Sequence, residues 1–568
     1  MAFIAIALGV IAIVALNYVI SRVRFKPART KYDYDVIIVG GSIAGPVIAK
    51  ALSDQKRRVL LLERDLFTKP DRIVGELLQP AGIGALKRLN MEGCATSVGM
   101  PCNGYVVIDE HGQKVALPYR AGFQGYSFHF GDFVNNLRKH VWHKCAADVT
   151  MLEATVNEVL VERTSCVERA YGVEYSIDVD YKAPEVPFTG APQNDQAARA
   201  KVRCVATAPL IIMCDGGSSK FKARYQHYTP ARQYHSNFVA LVVRNAQLPV
   251  EKHGTVLFGK TGPILAYRLD ANEFRMLVDY NKPTLPSLEE QSRWLIEEIA
   301  PCLPAEMRFE FISAAKNING IRSMPVARYP ATFPSIKGYV GIGDHANQRH
   351  PLTGGGMTCA FNDALLLSEK LAAIPKLRSD DATEMASIED QIQKVIVGYT
   401  RTRCLHSSCI NILSWALYAV FGIPALRTAC FDYFLLGGDC VAGPMALLSG
   451  LDPSPIHLMR HYSQVMLNGM FNLATGGGPY SCRDGKEPDF FAKCIRAVTF
   501  LFNPFRFANA FCILYQSILV VVPLVYYEFV SFWLLMDPTS FIPTLVRRVK
   551  IVFCRVFHDA KNWKPVGL

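Results

Sequence analysis

The sequence predicts an α/β fold with a doubly wound, Rossmann-like domain, a second domain rich in β-sheet, and a helical, apolar C-terminal region. The β-rich run "DVIIV" at 35–39 precedes a glycine-rich turn, a helical segment and a second strand, "RRVLLLER" at 57–64. This β–turn–α–β order within about 30 residues opens a doubly wound domain. Strand-like segments that recur between 104 and 279 indicate the second sheet. Residues 388–568 are mostly apolar with helical spacing, and they predict the helical C-terminal region.

The remaining elements follow in chain order from their residue patterns. Alternating or β-branched segments predict strands at 104–108, 114–118, 208–213, 237–243, 255–258, 263–269 and 274–279. A late strand lies within "GYVGIGD" at 338–344, and a helix is predicted from Met357 to about Ile374. Segment 176–203 is rich in Pro, Ala and polar residues, and we interpret it as a surface insertion.

Composition limits the classes of partner. The 61 Lys and Arg residues against 49 Asp and Glu give a net charge of +12, and half of the 568 residues are hydrophobic. Because no long basic run with interleaved aromatics occurs, we expect no nucleic-acid partner; basic flanks beside apolar ends suit an anionic membrane surface instead. The 16 cysteines show no disulfide or metal-binding spacing, so we expect reduced thiols and no metal site.

Both ends of the chain predict membrane attachment. Residues 1–20 carry no charge, and basic residues follow directly in "SRVRFKPARTK" at 21–31. This pattern predicts an uncleaved anchor that keeps the rest of the chain cytosolic, with a membrane-lying or re-entrant helix as the alternative. Residues 508–536 carry only Glu528 as a charge, and Pro523 interrupts them. Two short membrane-dipping helices are predicted there, with a tilted or kinked span as the alternative.

A nucleotide-binding pattern follows the first strand. In "VGGSIAG" at 39–45, Gly40 allows the tight turn and Gly45 allows close packing of helix on sheet, whereas Ser42 replaces the usual second glycine. Glu63 ends the second strand, where an acid binds a ribose hydroxyl pair. Together these features predict a dinucleotide site. The alternative is an ordinary strand–helix turn with a solvated glutamate.

A second polar cluster is the stretch "GDHANQRHPLTGGGMTCAFND" at 343–363. Asp344 ends a predicted strand, and three glycines at 354–356 precede the helix that begins near Met357. The strand–Gly–Asp order here resembles that of FAD-dependent hydroxylases, in which the acid binds the ribityl chain of a flavin. A helix N-terminus carries about half a positive charge and unpaired N–H groups, which would suit the anionic ring of such a flavin when it is reduced. Glycines let such a ring approach the backbone closely. We interpret His345 and His350 as structural residues rather than proton donors, and the motif as a flavin cradle.

Three long stretches resemble squalene epoxidases. They are "DRIVGELLQPAGIGALKRL" at 71–89, the stretch at 343–363 quoted above, and "FDYFLLGGDCVAGPMALLSGL" at 431–451. The resemblance extends over roughly 33–535, apart from the insertion, and includes "NGY" at 103–105 and "IRSMP" at 321–325. The departures are Ser42 and "HANQ" at 345–348.

The resemblance implies FAD as the prosthetic group and assigns residues to it. Tyr105 matches the active-site tyrosine of the family, with Gln79 as its expected partner. The expected FAD contacts are Gly40, Ile43, Ala44, Gly45, Glu63, Arg64, Arg72, Leu77, Arg138, Val156, Asp344, Gly355, Gly356 and Met357.

The resemblance also implies a reaction and its setting. A family member converts squalene to (S)-2,3-epoxysqualene with O2 through a flavin hydroperoxide, as part of sterol biosynthesis. We find no second nucleotide fingerprint, and the expected electron donor is NADPH–cytochrome reductase. The expected location is the endoplasmic reticulum membrane, with the catalytic domain cytosolic. Two alternatives stay open: a related flavoenzyme that acts on another isoprenoid, and a non-enzymatic prenyl-binding carrier.

The predicted domain ranges combine these patterns. Residues 1–30 form the anchor and basic flank; 31–100, 131–232 and 320–375 form the discontinuous FAD-binding domain; 101–130 and 233–319 form the substrate-binding domain; and 376–568 form the helical, membrane-associated C-terminal region.

Overall fold

The structure is a computed structural model that describes residues 31–528 with several gaps. The gaps are 74, 110, 164–167, 180–183, 185–186, 189–199, 228–232, 259–261, 476, 478–489, 501–502 and 527. The predicted anchor at 1–30 and the segment after 528 lie outside the described residues. Most of the predicted insertion at 176–203 also lies outside them.

The described strands are numbered in chain order. They are β1 (Val36–Val39), β2 (Val59–Glu63), β3 (Leu77–Leu78), β4 (Met100–Cys102), β5 (Gly104–Ile108), β6 (Lys114–Pro118), β7 (Gly125–Ser127), β8 (Val149–Glu153), β9 (Thr155–Arg163), β10 (Glu168–Asp178), β11 (Lys201–Thr207), β12 (Leu210–Met213), β13 (Gln226–His227), β14 (Gln233–Arg244), β15 (Gly254–Phe258), β16 (Pro263–Asp270), β17 (Glu273–Tyr280), β18 (Arg322–Arg328), β19 (Phe333–Pro334) and β20 (Tyr339–Gly341).

The described α-helices are numbered in the same way. They are α1 (Ala44–Ser53), α2 (Pro80–Arg88), α3 (Gly93–Thr96), α4 (Phe130–Lys144), α5 (Lys222–Tyr225), α6 (Leu288–Trp294), α7 (Ala305–Lys316), α8 (Gly356–Leu371), α9 (Ala382–Gly422), α10 (Pro424–Leu435), α11 (Asp439–Leu448), α12 (Pro455–Thr475), α13 (Phe490–Phe500) and α14 (Pro504–Val525).

A five-stranded parallel sheet with the order β20–β12–β1–β2–β8 forms the first domain. Successive residues of a strand point to opposite faces, and here both faces are buried. Val36 and Ile38 of β1 join a core with residues of α1, α4 and α8. Ile37 and Val39 join a second core against the antiparallel β9–β10–β11 sheet. This arrangement confirms the predicted doubly wound domain.

A seven-stranded sheet with the order β18–β14–β17–β16–β15–β5–β6 forms the second layer. Its pairs are antiparallel except β15 with β5. Val106 and Ile108 of β5 pack into a core with α7, whereas Tyr105 and Val107 face a core shared with the C-terminal helices. The alternation of β5 therefore separates a structural face from a face that meets the helical region.

The sequence-predicted strands agree closely with those observed, and the helix predicted from Met357 begins at Gly356 and ends at Leu371. Strand β18 pairs with β14 in the larger sheet, on the other side of the predicted domain boundary at 320. The domain ranges themselves stay predictions.

The C-terminal region contains two described helices that are long and apolar enough to cross a membrane, α9 and the part of α14 from Phe507 to Val525. In its most apolar window α9 is 67% buried within the protein, against 33% for α14. Helices α10 and α11 form a bent pair that meets at 114°. The prediction that Pro523 breaks the apolar run is wrong, because Pro523 lies inside the last turn of α14.

Candidate functional site

The turn between β1 and α1 is shaped by close backbone approach. Gly40 has φ +105°, and a Cβ there would lie 2.5 Å from the carbonyl oxygen of Cys214 at the end of β12. A Cβ on Gly45 would lie 1.9 Å from the Gly40 carbonyl oxygen. Only glycine fits at either position. Ile43 is the N-cap of α1, and Ala44 and Gly45 are its first residues, so the helix N-terminus faces this turn.

Glu63 and Arg138 converge on the same turn. The Glu63 carboxylate accepts a hydrogen bond from the Gly41 backbone N–H at 2.6 Å. Nε of Arg138, on α4, donates to the Gly41 carbonyl at 2.7 Å, and its Nη1 donates to the carbonyls of Asp65, Leu66 and Thr68. Burial lowers the pKa of Arg138, while Glu63 raises it. The buried guanidinium therefore holds the glycine turn and the segment after β2 together.

The other residues expected near the nucleotide lie around this centre in different settings. Arg64 forms an exposed ion pair with Asp65 at 2.8 Å. Arg72 is exposed on the loop before β3, and its charge lowers the pKa of Arg138. Val156 on β9 is buried in the core that also holds Val39.

The turn that carries Asp344 lies between the first turns of α1 and α8. A Cβ on Gly343 would contact Ala360 Cβ at 3.2 Å and Ala44 Cβ at 3.8 Å. The Asp344 carboxylate is exposed and accepts from Gln348 Nε2 at 3.3 Å. The Asp344 carbonyl accepts from Lys222 Nζ at 2.6 Å. The backbone of the turn is thus fixed while the carboxylate stays accessible to a ligand.

The glycines at 354–356 lead into α8. Gly354 has φ +61°, and Gly355 is the N-cap of the helix. A Cβ on Gly355 would lie 2.6 Å from Ile410 of α9, whereas a Cβ on Gly356 would meet nothing within 4 Å. Met357 is buried in the core of the first domain. The helix N-terminus therefore has open space beside Gly356.

The two histidines of this stretch are fully buried structural residues. Nδ1 of His345 lies 2.6 Å from Asp215 Oδ1, and Nε2 lies 2.9 Å from the Tyr339 hydroxyl. Burial lowers the pKa of His345, although Asp215 opposes this shift. Nδ1 of His350 accepts from the Leu352 N–H at 3.2 Å, and its ring stacks on Tyr418 at 4.1 Å between centroids.

Sequence reasoning missed a buried polar network beneath the cradle. Arg403 of α9 pairs with Asp363 of α8 at 2.9 Å, and Asp363 accepts from the Gly343 N–H at 2.8 Å. Arg349 Nε donates to Asn411 Oδ1 at 2.7 Å, and Asn411 Nδ2 donates to Glu528 at 2.9 Å.

The signal for this network was present in the sequence. Glu528 is the only charge in 508–536, and Arg403 precedes a long apolar stretch. A charge that is buried in an apolar helical region needs a partner, which these residues find in one another.

Gln79 and Tyr105 meet at the far end of the same cradle. Nε2 of Gln79, the N-cap of α2, donates to the Tyr105 hydroxyl at 2.7 Å and to the Thr353 carbonyl at 2.8 Å. The Tyr119 hydroxyl donates to Gln79 Oε1 at 2.6 Å. A Cβ on Gly354 would lie 3.2 Å from the Leu77 carbonyl and 3.9 Å from the Tyr105 hydroxyl. This contact joins β3, β5 and the glycine stretch at one point.

Tyr119 was not identified from the sequence, although the signal exists. Residues 115, 117 and 119 alternate as buried positions along and just after β6, which pairs with β5. Because Tyr105 pairs with Leu117, Tyr119 lies on the same face of the hairpin.

Tyr105 belongs to a large apolar core on the face that meets the C-terminal helices. This core includes Leu117, Phe258, Phe421, Phe431 and Leu447. The main buried charges nearby are paired: Arg275 binds the Glu76 carboxylate through Nε at 2.8 Å and Nη2 at 2.9 Å. Tyr267 donates a further hydrogen bond to Glu76 at 3.3 Å. The pair thus adds no uncompensated charge to the apolar region.

These residues fit FAD. Glu63 ends β2 and Asp344 follows β20, two parallel strands of the same sheet that are separated by β1 and β12. Their carboxylates can accept hydrogen bonds from the hydroxyl groups of a ribose and of a ribityl chain. The N-terminus of α1 offers backbone N–H groups to a pyrophosphate, and the open space at Gly356 lets a flat ring approach the N-terminus of α8.

The comparisons with known proteins agree with this geometry. The squalene epoxidase family profile matches residues 207–480. The chain is 34% identical over 513 residues to the squalene epoxidase of Schizosaccharomyces pombe, which covers 88% of this chain and 99% of that protein. The chain belongs to the squalene epoxidase family. It is 37% identical to squalene epoxidase 3 of Arabidopsis thaliana over 78% of this chain and 79% of that protein, and 32% identical to mouse squalene monooxygenase over 87% and 78%.

Solved structures show the same fold at low sequence identity. A flavin-dependent brominase aligns with a TM-score of 0.54 at 16% identity, over 73% of this chain and 93% of that one. A flavoprotein/dehydrogenase from Cytophaga hutchinsonii aligns with a TM-score of 0.55 at 14% identity, over 77% and 99%. The flavoprotein fold predicted from the sequence is confirmed, and family membership makes the chain an oxidoreductase.

Proposed function

We propose that this protein oxidises squalene to 2,3-epoxysqualene with O2 in sterol biosynthesis, with FAD as its prosthetic group. The observation that carries the proposal is the Gln79–Tyr105 pair beside Gly354, where the start of α8 meets a large apolar core. A small group of hydrogen-bonded polar side chains in apolar surroundings suits oxidation of a hydrocarbon next to a flavin.

Two groups of residues around the five-stranded sheet would bind the two halves of FAD. Glu63 and Arg138 hold the nucleotide half, together with the glycine turn at Gly40 and the N-terminus of α1. Asp344 binds the ribityl chain, and Gly355 and Gly356 face the ring. When bound and reduced, FAD would supply the two electrons that activate O2, and O2 would supply the transferred oxygen atom.

Further predicted contacts stay part of this proposal. The Leu77 carbonyl lies beside Gly354, and Met357, the second residue of α8, would support the ring from the core of the first domain. Arg64, Arg72 and Val156 lie around the nucleotide half, of which Arg64 and Arg72 are exposed and free to turn toward a bound phosphate or ribose.

We place the substrate region in an apolar part of the protein because squalene is a hydrocarbon. Squalene has no polar group, so its binding gains free energy from apolar burial alone, at about 25 cal/mol per Å². The core between the larger sheet and the helices α9–α12 offers aromatic and aliphatic side chains beside Tyr105. Exclusion of water from such a region also protects a reactive oxygen species from hydrolysis.

Tyr105 acts at the polar end of this region. Burial raises the pKa of its hydroxyl, so Tyr105 keeps its proton at neutral pH. A neutral tyrosine that receives a hydrogen bond from Gln79 can donate its own proton to an oxygen atom on the substrate side. Gln79 thereby orients the Tyr105 hydroxyl toward the reacting oxygen atom.

We also propose NADPH–cytochrome reductase as the electron donor. The support is the resemblance of the whole sequence to a family that uses an external reductase, together with the single nucleotide fingerprint at 39–45. Omission of the reductase from the assay tests this part separately.

Membrane attachment completes the proposal, with the protein held on the endoplasmic reticulum membrane and its catalytic domains cytosolic. The uncharged residues 1–20 and the basic flank support an anchor in this orientation. Helix α14 adds an exposed apolar stripe at positions three or four residues apart: Phe507, Phe511, Tyr515, Ile518 and Val522. A stripe of this kind suits contact with a bilayer.

The deciding experiment is product analysis. Detergent-purified protein is incubated with squalene, O2, NADPH and the reductase, and the product is identified by mass spectrometry against authentic 2,3-epoxysqualene. We expect the epoxide only when both the protein and the reductase are present. Purified protein without flavin absorbance would favour the carrier alternative, and turnover of another isoprenoid in preference to squalene would favour the related flavoenzyme.

A further inference from the structure

The hydrogen-bond chain through Gln79 has a fixed direction. The Thr353 carbonyl oxygen can only accept, so the group of Gln79 that lies 2.8 Å from it must be the amide nitrogen. The same nitrogen lies 2.7 Å from the Tyr105 hydroxyl. Both N–H bonds of Gln79 are then used, one on Thr353 and one on Tyr105. The amide oxygen must therefore face the remaining neighbour, the Tyr119 hydroxyl at 2.6 Å.

This direction decides which tyrosine gives its proton away. An amide oxygen only accepts, so Tyr119 is the donor to Gln79. Tyr105 accepts a hydrogen bond from Gln79, so its own hydroxyl proton is not donated to Gln79. The chain runs from Tyr119 to Gln79 to Tyr105. The Tyr105 and Tyr119 hydroxyls also interact with each other; since the Tyr119 proton is donated to Gln79 in this order, we assign the Tyr105 proton to the side that faces Gly354.

Tyr119 is held firmly enough to impose this order. Its backbone N–H donates to the Asn103 carbonyl at 2.8 Å, beside the β5–β6 hairpin. Its ring packs edge-on against the Tyr105 ring, with centroids 6.1 Å apart. A Cβ on Gly125 of β7 would lie 3.5 Å from the Tyr119 ring and hydroxyl, so β7 closes the other side. Burial raises the pKa of Tyr119, which therefore remains a donor at neutral pH.

We propose that Tyr119 is a positioning residue for the oxidation: by donating to Gln79 it holds the amide nitrogen on Tyr105 together with the Thr353 carbonyl, so that the Tyr105 hydroxyl donates toward the reaction side. In this role Tyr119 acts through Gln79 rather than on the reacting atoms. This role rests on the proposed function, because the benefit of an oriented Tyr105 lies in the oxygen transfer. Without Tyr119, the Gln79 oxygen loses its donor and the Thr353 carbonyl alone fixes the amide, which weakens the hold of Gln79 on Tyr105.

The first test compares Tyr119→Phe with a matched variant. Tyr225→Phe also removes a buried tyrosine hydroxyl, one that donates to the Val159 carbonyl at 3.1 Å in the core of the first domain. We expect Tyr119→Phe to lower kcat on the order of tenfold with KM and flavin content unchanged, since a lost buried hydrogen bond has effects of this size. Tyr225→Phe should keep kcat. An unchanged kcat in Tyr119→Phe overturns the proposal.

A double-mutant cycle separates positioning from a general structural effect. If Tyr119 acts through Tyr105, adding Tyr119→Phe to Tyr105→Phe lowers kcat no further. An equal loss in both backgrounds overturns the proposal, because it shows an effect that does not pass through Tyr105. If Tyr119→Phe does not fold, Gln79→Glu carries the test. This near-isosteric change removes both N–H groups, and it should lower kcat as far as Tyr105→Phe does; wild-type kcat in Gln79→Glu contradicts the donation order.

A readout that does not need turnover distinguishes failure of this inference from failure of the proposed function. With 3-fluorotyrosine placed at position 105, the ¹⁹F resonance reports the hydrogen bond at that hydroxyl. It should shift in Tyr119→Phe and stay in place in Tyr225→Phe. A shift without any epoxide product would retain the hydrogen-bond order and reject the reaction; no shift would reject the order itself.

Discussion

Asp363 and Arg403 form a buried ion pair, 2.9 Å apart, directly under the turn that carries Asp344. The second oxygen of Asp363 accepts from the Gly343 N–H, so the pair links the long helix α9 to the flavin cradle through a single carboxylate. Burial raises the pKa of Asp363, and the Arg403 charge opposes this shift. The carboxylate needs its partner to remain charged in this position.

Loss of one partner should be costly. Arg403→Met leaves the Asp363 carboxylate buried without its countercharge, and we expect the free energy of unfolding to fall by about 3–5 kcal/mol. The control is Arg88→Met, which breaks an ion pair with Glu369 that is exposed on both sides and worth at most about 1 kcal/mol. Chemical denaturation of both variants measures the difference, and equal losses would contradict the structural role of the buried pair.

Because the space beside Gly356 is open, we expect Gly356→Ala to weaken FAD binding without lowering the stability of the protein. Gly356→Ala meets nothing within 4 Å, so the protein without flavin should keep its stability. If the ring lies there, the added methyl group should weaken FAD binding, on the order of tenfold for one misfitted methyl group. Gly84→Ala, which also meets nothing within 4 Å but lies on α2, is the control. Titration of the two flavin-free variants with FAD measures their affinities. Wild-type affinity in Gly356→Ala would contradict the placement of the flavin ring beside Gly356.

Asp344 gives a second test of the cradle. Asp344→Ala removes an exposed carboxylate without disturbing the Asp344 carbonyl that Lys222 binds. We expect purified protein with most of its FAD lost, because the contact to the ribityl hydroxyls goes with the side chain. The ratio of flavin to protein absorbance measures the effect. A variant with a full complement of FAD would exclude this role for Asp344.

Asp279 should make stability depend on pH. Burial raises the pKa of this carboxyl group to about 6, although the hydroxyls of Ser236 and Tyr418 lower it in part. Between its unfolded value near 4 and about 6, the folded protein binds more protons than the unfolded chain, so the wild type loses stability as pH rises through this window.

Asp279→Asn removes this dependence. The stability of the variant relative to the wild type should therefore increase from pH 4 to pH 7, by up to about 3 kcal/mol. Denaturation curves of both proteins at the two pH values give the answer. A relative stability that does not change with pH would show that Asp279 has no raised pKa.

The apolar stripe of α14 should contribute to membrane attachment. In protein that lacks residues 1–30, Phe511→Glu puts a charge on a side chain that is 60% exposed within the stripe, and we expect less protein to float with liposomes. Phe309→Glu is the matched control, since Phe309 is 78% exposed on α7, away from the C-terminal helices. Equal flotation of the two variants would exclude contact between the stripe and the bilayer.

Much of the fold follows from local patterns. The β1–α1–β2 unit was predictable because apolar strands, glycines and an acid occur at fixed spacing along the chain. The same holds for the start of α8, where glycines mark the N-terminus. Pro523 misled the prediction for α14, since a proline near a helix end costs few backbone hydrogen bonds and did not break the helix.

The sequence by itself determined the fold class, the family, the flavin motifs and the residues Gln79 and Tyr105 as a pair. Only the tertiary structure decided that Tyr119 donates to Gln79, that Asp363 pairs with Arg403, and that Glu528 reaches Asn411. The physical reason is the separation along the chain of the residues that interact. Turns, helix caps and strand periodicity are set by residues a few positions apart. The direction of a hydrogen bond or the partner of a buried charge is set by side chains that meet only after sheets and helices have packed.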